Sequence, residues 1–189
     1  MECKVCCTVS DLKLHPDTPH EKKRLKKLRD LQILRDVREP AFDNLAQLAA
    51  AIAHTPFAAI SMTDRDEQWY KAQYGWTLNS IPRNHSPCAL VAEGDSPIII
   101  RNVKIDERLS SRTSFCSEKD IQFYAGFPII VENQCIGTLC VANIGQQGLT
   151  NEQINSLVIL ANQVSHQLVI GERVATLETE NSDLLIQEL

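Results

Sequence analysis

The sequence has no apolar run of the roughly 18 to 20 residues that a helix needs to cross a bilayer, so no membrane-spanning helix is expected. It has no excess of positive charge either. Its 19 basic and 24 acidic residues leave a formal net charge of −5, which argues against nucleic-acid binding, a task that usually needs a basic face. The one basic run, Glu21 to Arg29 (EKKRLKKLR), reads as a solvated helix face. The opening MECKVCCTVSDLK lacks both a charged leader and a long apolar core, so no secretory signal is expected. Without export, the seven cysteines are expected to be mostly free thiols in a reducing compartment, which implies a cytoplasmic location. His15, His20, His54, His85 and His166 show no close metal-ligand spacing. Cys3, Cys6 and Cys7 offer three thiols where zinc usually takes four ligands, and no metal site is expected.

What is present is a globular composition, 43% hydrophobic and 23% charged, over a length that suits one domain with an extension. Residues 1–19, with Pro16 and Pro19, show no period and read as a loosely held arm. From His20 to Val37, leucines 25, 28, 31 and 34 recur every third residue and predict a charged helix with one apolar stripe. Pro40 ends it, because the residue before a proline avoids helix. AFDNLAQLAAAIAH predicts a second helix, with Phe42, Leu45, Leu48, Ala49 and Ile52 on one side and Pro56 at its end. FAAISMT and EQWYKAQYG then form a hairpin around Asp64 to Asp66.

A loop carrying Pro82 and Pro87 leads to a short helix, PCALVAEG, that stops at Gly94. The strand PIIIRNV follows, then a long polar connection from Lys104 to Asp120. IQFYAGFPIIV and CIGTLCVANI form another hairpin across ENQ. Gly126 and Pro128 interrupt its first strand, which suits a bend or close backbone approach at the glycine and a bulge or unpaired position at the proline. Thr150 and Gln153 make a capping box ahead of a helix through Ile154, Leu157, Leu160, Val164 and Leu168. The period continues, with Ile170, Leu177 and Leu184 seven apart, Val174 four after the first, and Asn181 and Glu188 at later equivalents of Val174. That is a short heptad seam with polar interruptions. Strands joined by short turns imply a central antiparallel sheet whose flanking helices cover one face, an α+β domain.

Six ordered segments carry a family resemblance: RLKKLRDLQILRD, FDNLAQLAAAIAHTPFAAISMTDRDEQWYKAQYG, IPRNHSPCAL, IIIRNVKIDERL, IQFYAGFPI and IGTLCVANI. From about Arg24 to Arg173 the sequence resembles a GAF domain, of the bacterial subgroup that opens with a leucine-rich helix. The resemblance implies a PAS-like sheet with helices on one face and a small-molecule pocket on the other. It also implies a sensory or regulatory module, not an enzyme, that dimerises through its terminal helices. The partners it implies are a second copy, an unidentified small molecule and an attached output domain such as a cyclase or kinase. Within this frame the chain divides into an arm at 1–19, the GAF domain at 20–172 and a coiled-coil-like helix at 173–189. The seam would be Ile170, Val174, Leu177, Asn181 and Leu184, and an end in mid-helix at Leu189 fits a fragment of a larger sensor.

The pocket candidates are Trp69, Arg83, Ser86, Cys88, Asn102, Asp106, Arg108 and Tyr124. Trp69 and Tyr70 alternate faces of a strand, so Trp69 either packs in the core or stacks on a ring. Arg83 either presents its planar fork to a carboxylate or phosphate, or forms a structural salt bridge. Asp106 and Arg108 either close the pocket or hold their own loop. The cofactor is left unassigned: the chain shows neither the cyclic-nucleotide GAF pattern nor the Cys-His pair that attaches a bilin. Asn102 and Asn143 stand where the subgroup often has aspartate. Two rival readings remain. Some GAF proteins reduce free methionine sulfoxide with loop cysteines, and Cys88 and Cys116 lie in broadly corresponding regions. Alternatively, the module is a ligand-free dimerisation unit whose pocket is filled by its own side chains. Cys135 and Cys140, five apart on a strand, fall on opposite faces, and at least one is an ordinary buried thiol.

Overall fold

The computed structural model describes residues 18–33, 37–77, 80–109 and 120–187. Most of the expected N-terminal arm, with Cys3, Cys6 and Cys7, lies outside them, as do Cys116 and the side chain of Leu184. Helix α1 (Pro19–Asp30) begins where the Thr18 side chain accepts the Glu21 N–H and Pro19 pre-sets the first turn. The leucine period predicts a helix to Val37, but α1 stops earlier. Gln32 turns left-handed at φ 47° and donates its N–H back to the Arg29 carbonyl.

Helix α2 (Pro40–Ala53) buries Phe42, Ala46, Ala49, Ala50 and Ala53. This corrects the leucine face expected from the sequence, since Leu48 is 48% exposed. Small side chains at the contact let two elements approach closely, and the alanine face supplies that where α2 meets the sheet and the C-terminal helix.

The sheet is built from β1 (Phe57–Thr63), β2 (Glu67–Tyr74), β3 (Ile81–Pro82), β4 (Ile98–Ile100), β5 (Phe123–Val131) and β6 (Gln134–Asn143). Its order is β3-β2-β1-β6-β5-β4, with every pair antiparallel. The interval read as loop after Trp76 therefore holds an edge strand, β3, and then a 3-10 turn at Arg83–His85. The β5–β6 turn is the two left-handed residues Glu132 and Asn133 (φ 49° and 60°), tighter than the expected ENQ. Helix α3 (Pro87–Gly94) follows the 3-10 turn, and a second such turn, Glu107–Leu109, lies in the long connection after β4.

The two faces of the sheet are covered differently. On one, Ile60, Met62, Phe127 and Leu139 pack against α2 and against Leu157, Leu160, Val164 and Leu168 of the long helix α4 (Asn151–Gln187). On the other, Ala59, Tyr124, Cys140 and Ala142 lie under α3 and the segment around Val103 and Leu109. The capping box forms in both directions: Gln153 N–H donates to Thr150 Oγ1 at 3.2 Å and Thr150 N–H to Gln153 Oε1 at 2.9 Å.

Helix α1 is held by a buried ion cluster. Glu21 and Arg24 are both 0% exposed. Arg24 donates to both Glu21 oxygens at 2.8 Å and to the carbonyls of Thr63 at 2.6 Å and Cys135 at 3.3 Å, which ties α1 to β1 and β6. Arg83 donates to Glu21 from the 3-10 turn. Burial pushes the Glu21 carboxyl up, but the hydrogen bonds and charges of Arg24 and Arg83 outweigh it and hold the pKa at about 2.

Removing one partner of such a pair strands a buried charge. Arg24→Met should lower the unfolding free energy by about 3–5 kcal/mol in urea titrations. The folded Glu21 value lies below the ordinary 4.5, so its contribution is fully present above that pH and is lost as pH falls towards about 2. The stability gap between the unaltered chain and Glu21→Gln should narrow across that window.

Candidate functional site

Alternation along the central strands makes the face under α3 small and polar. In β1, Ala59 and Ser61 alternate with Ile60 and Met62; in β6, Thr138, Cys140 and Ala142 alternate with Leu139 and Val141. In β5, Tyr124 and Gly126 share this face while Phe123, Ala125 and Phe127 point to the helix-side core. Helix α3 lies directly on the surface so formed. Ser86 caps it, accepting the Ala89 N–H at 3.3 Å, and its own hydroxyl donates to Gln68 Oε1. Thr138 Oγ1 donates to the Cys88 carbonyl at 3.3 Å, and the Tyr124 hydroxyl donates to Cys88 Sγ at 3.1 Å.

Gly126 makes this approach feasible. A Cβ there would stand 2.5 Å from Tyr124 Oη, 2.7 Å from Val91 Cγ2 and 3.0 Å from Thr138 Cγ2. The glycine in the strand thus serves a close approach. Pro128 lies two residues past Gly126, where the pairing with β4 ends, so it occupies an open strand edge.

The result is a closed cluster of Ser61, Gln68, Ser86, Cys88, Tyr124, Thr138 and Cys140, none more than 3% exposed. Burial pushes the Cys88 thiol up, but hydrogen bonds with Cys140, Tyr124, Ser61 and Gln68 outweigh it and draw the pKa down to about 7. Cys88 also occupies the second position of α3, behind the Ser86 cap and Pro87, where a helix favours negative charge. Cys135 is the contrast: burial first, and then the charge of Asp95, push its thiol up to about 12. The surroundings thus move the two thiols in opposite directions, that of Cys88 on α3 down and that of Cys135 on β6 up.

The structure brings Ser86, Cys88 and Tyr124 together and places the other candidates elsewhere. Trp69 packs in the helix-side core at 7% exposure, the first of its two readings, and Tyr70 takes the α3 side. Arg83 belongs to the Glu21 ion cluster, so the structural salt bridge is the reading realised. Arg108 donates to Asp106 at 2.8 and 2.6 Å and to the Ile99 carbonyl at 3.3 Å, holding its own loop. Its hydrogen bonds keep the Asp106 carboxyl below the usual carboxylate range. Asn102 accepts the Lys104 N–H at 3.0 Å, and with Asp106 it lines a separate open cleft of about 600 Å³ against Leu149, Asn151 and Ile154. Asn143 donates to Gln147 Oε1 at 2.7 Å and accepts the Gly145 N–H at 3.2 Å, shaping the loop before α4. Sequence reasoning missed Ser61, Gln68, Thr138 and Cys140. Their signal was the run of small and polar residues at alternate strand positions.

With that geometry in view, the family model described as GAF domain matches residues 38–168. The chain belongs to the GAF domain family. Among curated proteins this GAF domain is similar to cyclic di-GMP phosphodiesterase PA2567 of Pseudomonas aeruginosa, at 27% identity over 135 residues. That match covers 71% of this chain but only 23% of the relative, so the chain spans under a quarter of that protein's length. Among solved structures it resembles the GAF domain of a phosphoenolpyruvate-protein phosphotransferase from Coxiella burnetii, at TM-score 0.63 and 16% identity. That alignment covers 83% of this chain and 97% of the other. The type II free methionine-R-sulfoxide reductase of Thermoplasma acidophilum shares the fold at TM-score 0.59 and 11% identity, over 74% of this chain and 94% of the other. Among the described residues, no helix is long and apolar enough to cross a membrane.

A methyl group at Gly126 should lift α3 from the sheet. Gly126→Ala is expected to cost about 1–3 kcal/mol of stability, as overpacking usually does. It should also speed alkylation of Cys88 several-fold, read by mass spectrometry of the Cys88 peptide. An unchanged alkylation rate would show that α3 does not depend on the glycine.

Proposed function

We propose that this GAF domain is a cytoplasmic sensory or regulatory module that pairs with a second copy through α4 and passes a signal along that helix to an output domain. The observation that carries the reading is the continuity of α4. Its inner half buries Leu157, Leu160, Val164 and Leu168 on the domain, while Ile170, Val174 and Leu177 further along the same helix are 54%, 48% and 63% exposed. Exposed apolar residues at heptad-like spacing need a partner helix, and a parallel second copy supplies the same stripe.

The sheet links input to output. Tyr124 and Gly126 face α3, while Phe123 and Phe127 of the same strand face the α4 side. A ligand that binds one arrangement of the covering loops better than another would therefore bias how α4 pairs. The small-molecule input fits best at the cleft of Asn102 and Asp106, whose wall includes Asn151 and Ile154 of the first turn of α4. The output domain would be of the cyclase or kinase kind, and the Pseudomonas relative adds a phosphodiesterase to that class.

The closed cluster under α3 favours a second reading in which that face holds no ligand and the module only dimerises. A metabolite that raises the melting temperature would count against it. A sulfoxide reductase would need substrate to reach Cys88, and at 2% exposure that residue gives the reading little support.

Sedimentation on the order of tens of micromolar chain, a concentration that populates a moderately tight pair, should give a dimer. Ile170→Glu combined with Leu177→Glu should give a folded monomer whose melting temperature no longer rises with concentration, because both side chains lie outside the domain core. A monomeric unaltered chain would sink the dimer reading.

A further inference from the structure

Two thiols meet beneath α3. Cys88 enters from the first turn of the helix and Cys140 from the middle of β6, in one buried cluster, with Val91 of the same helix lying over Gly126, the strand partner of Cys140. The strand neighbours of Cys140 are Ala59 on β1 and Gly126 on β5, so no bulky side chain beside it separates the sulfurs. The Tyr124 hydroxyl, 3.1 Å from Cys88 Sγ, donates to it from the third side. We propose that Cys88 and Cys140 form a modification site: hydrogen peroxide converts them to a reversible internal disulfide that staples α3 to β6. This rests on the cluster alone and holds equally for a monomer or for the dimer proposed above.

The chemistry follows from the positions. The Cys88 thiolate attacks one peroxide oxygen; an S–O bond forms, the O–O bond breaks, and the departing hydroxide takes up the proton Cys88 released, giving water. Cys140 sulfur then attacks Cys88 sulfur; the S–S bond forms, the S–O bond breaks, and a second water leaves with the Cys140 proton. Two thiols lose two electrons and two protons, and one peroxide becomes two waters. The Tyr124 hydroxyl and the start of α3 stabilise the thiolate that begins the sequence. A small uncharged oxidant needs only local opening of an eight-residue helix to reach it. Cys135, further along β6, donates to the Gly137 carbonyl at 3.3 Å and faces neither thiol-activating group, so it serves as an internal control.

The test uses the full chain, reduced, freed of reductant and exposed to a small excess of hydrogen peroxide. The protein is then denatured, alkylated and digested without reduction. The expected product is a cross-linked peptide pair carrying Cys88 and Cys140, two hydrogens lighter than the sum, with Cys135 alkylated and the cross-link reversed by a dithiol. Tyr124→Phe should keep the cross-link but form it several-fold more slowly. In Cys140→Ser, Cys88 should be captured by dimedone as its sulfenic acid. Recovery of Cys88 and Cys140 both alkylated from the unaltered chain, or of Cys88 joined to a different cysteine, would overturn the proposal without touching the pairing through α4.

Discussion

The distance between α3 and the two strands beneath it governs the far side of the domain, and Gly126 sets that distance. A side chain there would meet Tyr124, Val91 and Thr138 within 3.0 Å, so only a bare backbone lets the helix settle. Once it has settled, Ser86, Cys88, Tyr124 and Thr138 are shut away from water. Their hydrogen bonds must then be made to one another, since an unmet polar group in such a place costs free energy. Satisfying those groups internally is what surrounds one cysteine with donors. The perturbed thiol is a consequence of close packing on a polar sheet face.

Helix α1, at the end of the sheet where β1 finishes and β6 begins, meets a different problem. It is charged nearly all round, so it is pinned by ions as well as by leucines. Glu21 and Arg24 are wholly buried, and the penalty for removing them from water is met by four Arg24 hydrogen bonds and the added charge of Arg83. That arrangement draws Arg83 away from any ligand-facing role. A guanidinium in a proline-flanked loop looks available in the sequence; the structure has already used it.

Between the two sides runs β5, with aromatic rings facing α2 and α4 and with Tyr124 and Gly126 facing α3. Helix α4 rests on the aromatic side and continues past the domain as one rod. Both covering layers therefore rest on one strand. The two layers use separate residues: the polar cluster under α3 shares none with the exposed apolar stripe of Ile170, Val174 and Leu177 on α4.

The sequence by itself determined the elements whose signal is local. Period-two alternation placed the hairpin strands, the Thr150–Gln153 box started α4 where both hydrogen bonds form, and the ordered segments identified the GAF fold. It also held the cue for Gly126, since a glycine inside a strand marks close approach. What it did not determine were matters of distance between elements far apart in the chain. The leucine stripe suggested a longer α1, but the left-handed turn at Gln32 redirected the chain to α2. The leucines of α2 looked like its core face, yet alanines allowed closer packing and took that place. Trp69 and Tyr70 alternate in either reading; the single-residue bulge opposite the Ile60–Ser61 step and the neighbouring layers decided which faced α3. Cys88 and Cys140 are 52 residues apart in sequence, and only the packing of α3 onto β6 made them neighbours. Local patterns set what each segment becomes, while the side chains that meet are chosen by how closely the segments can approach.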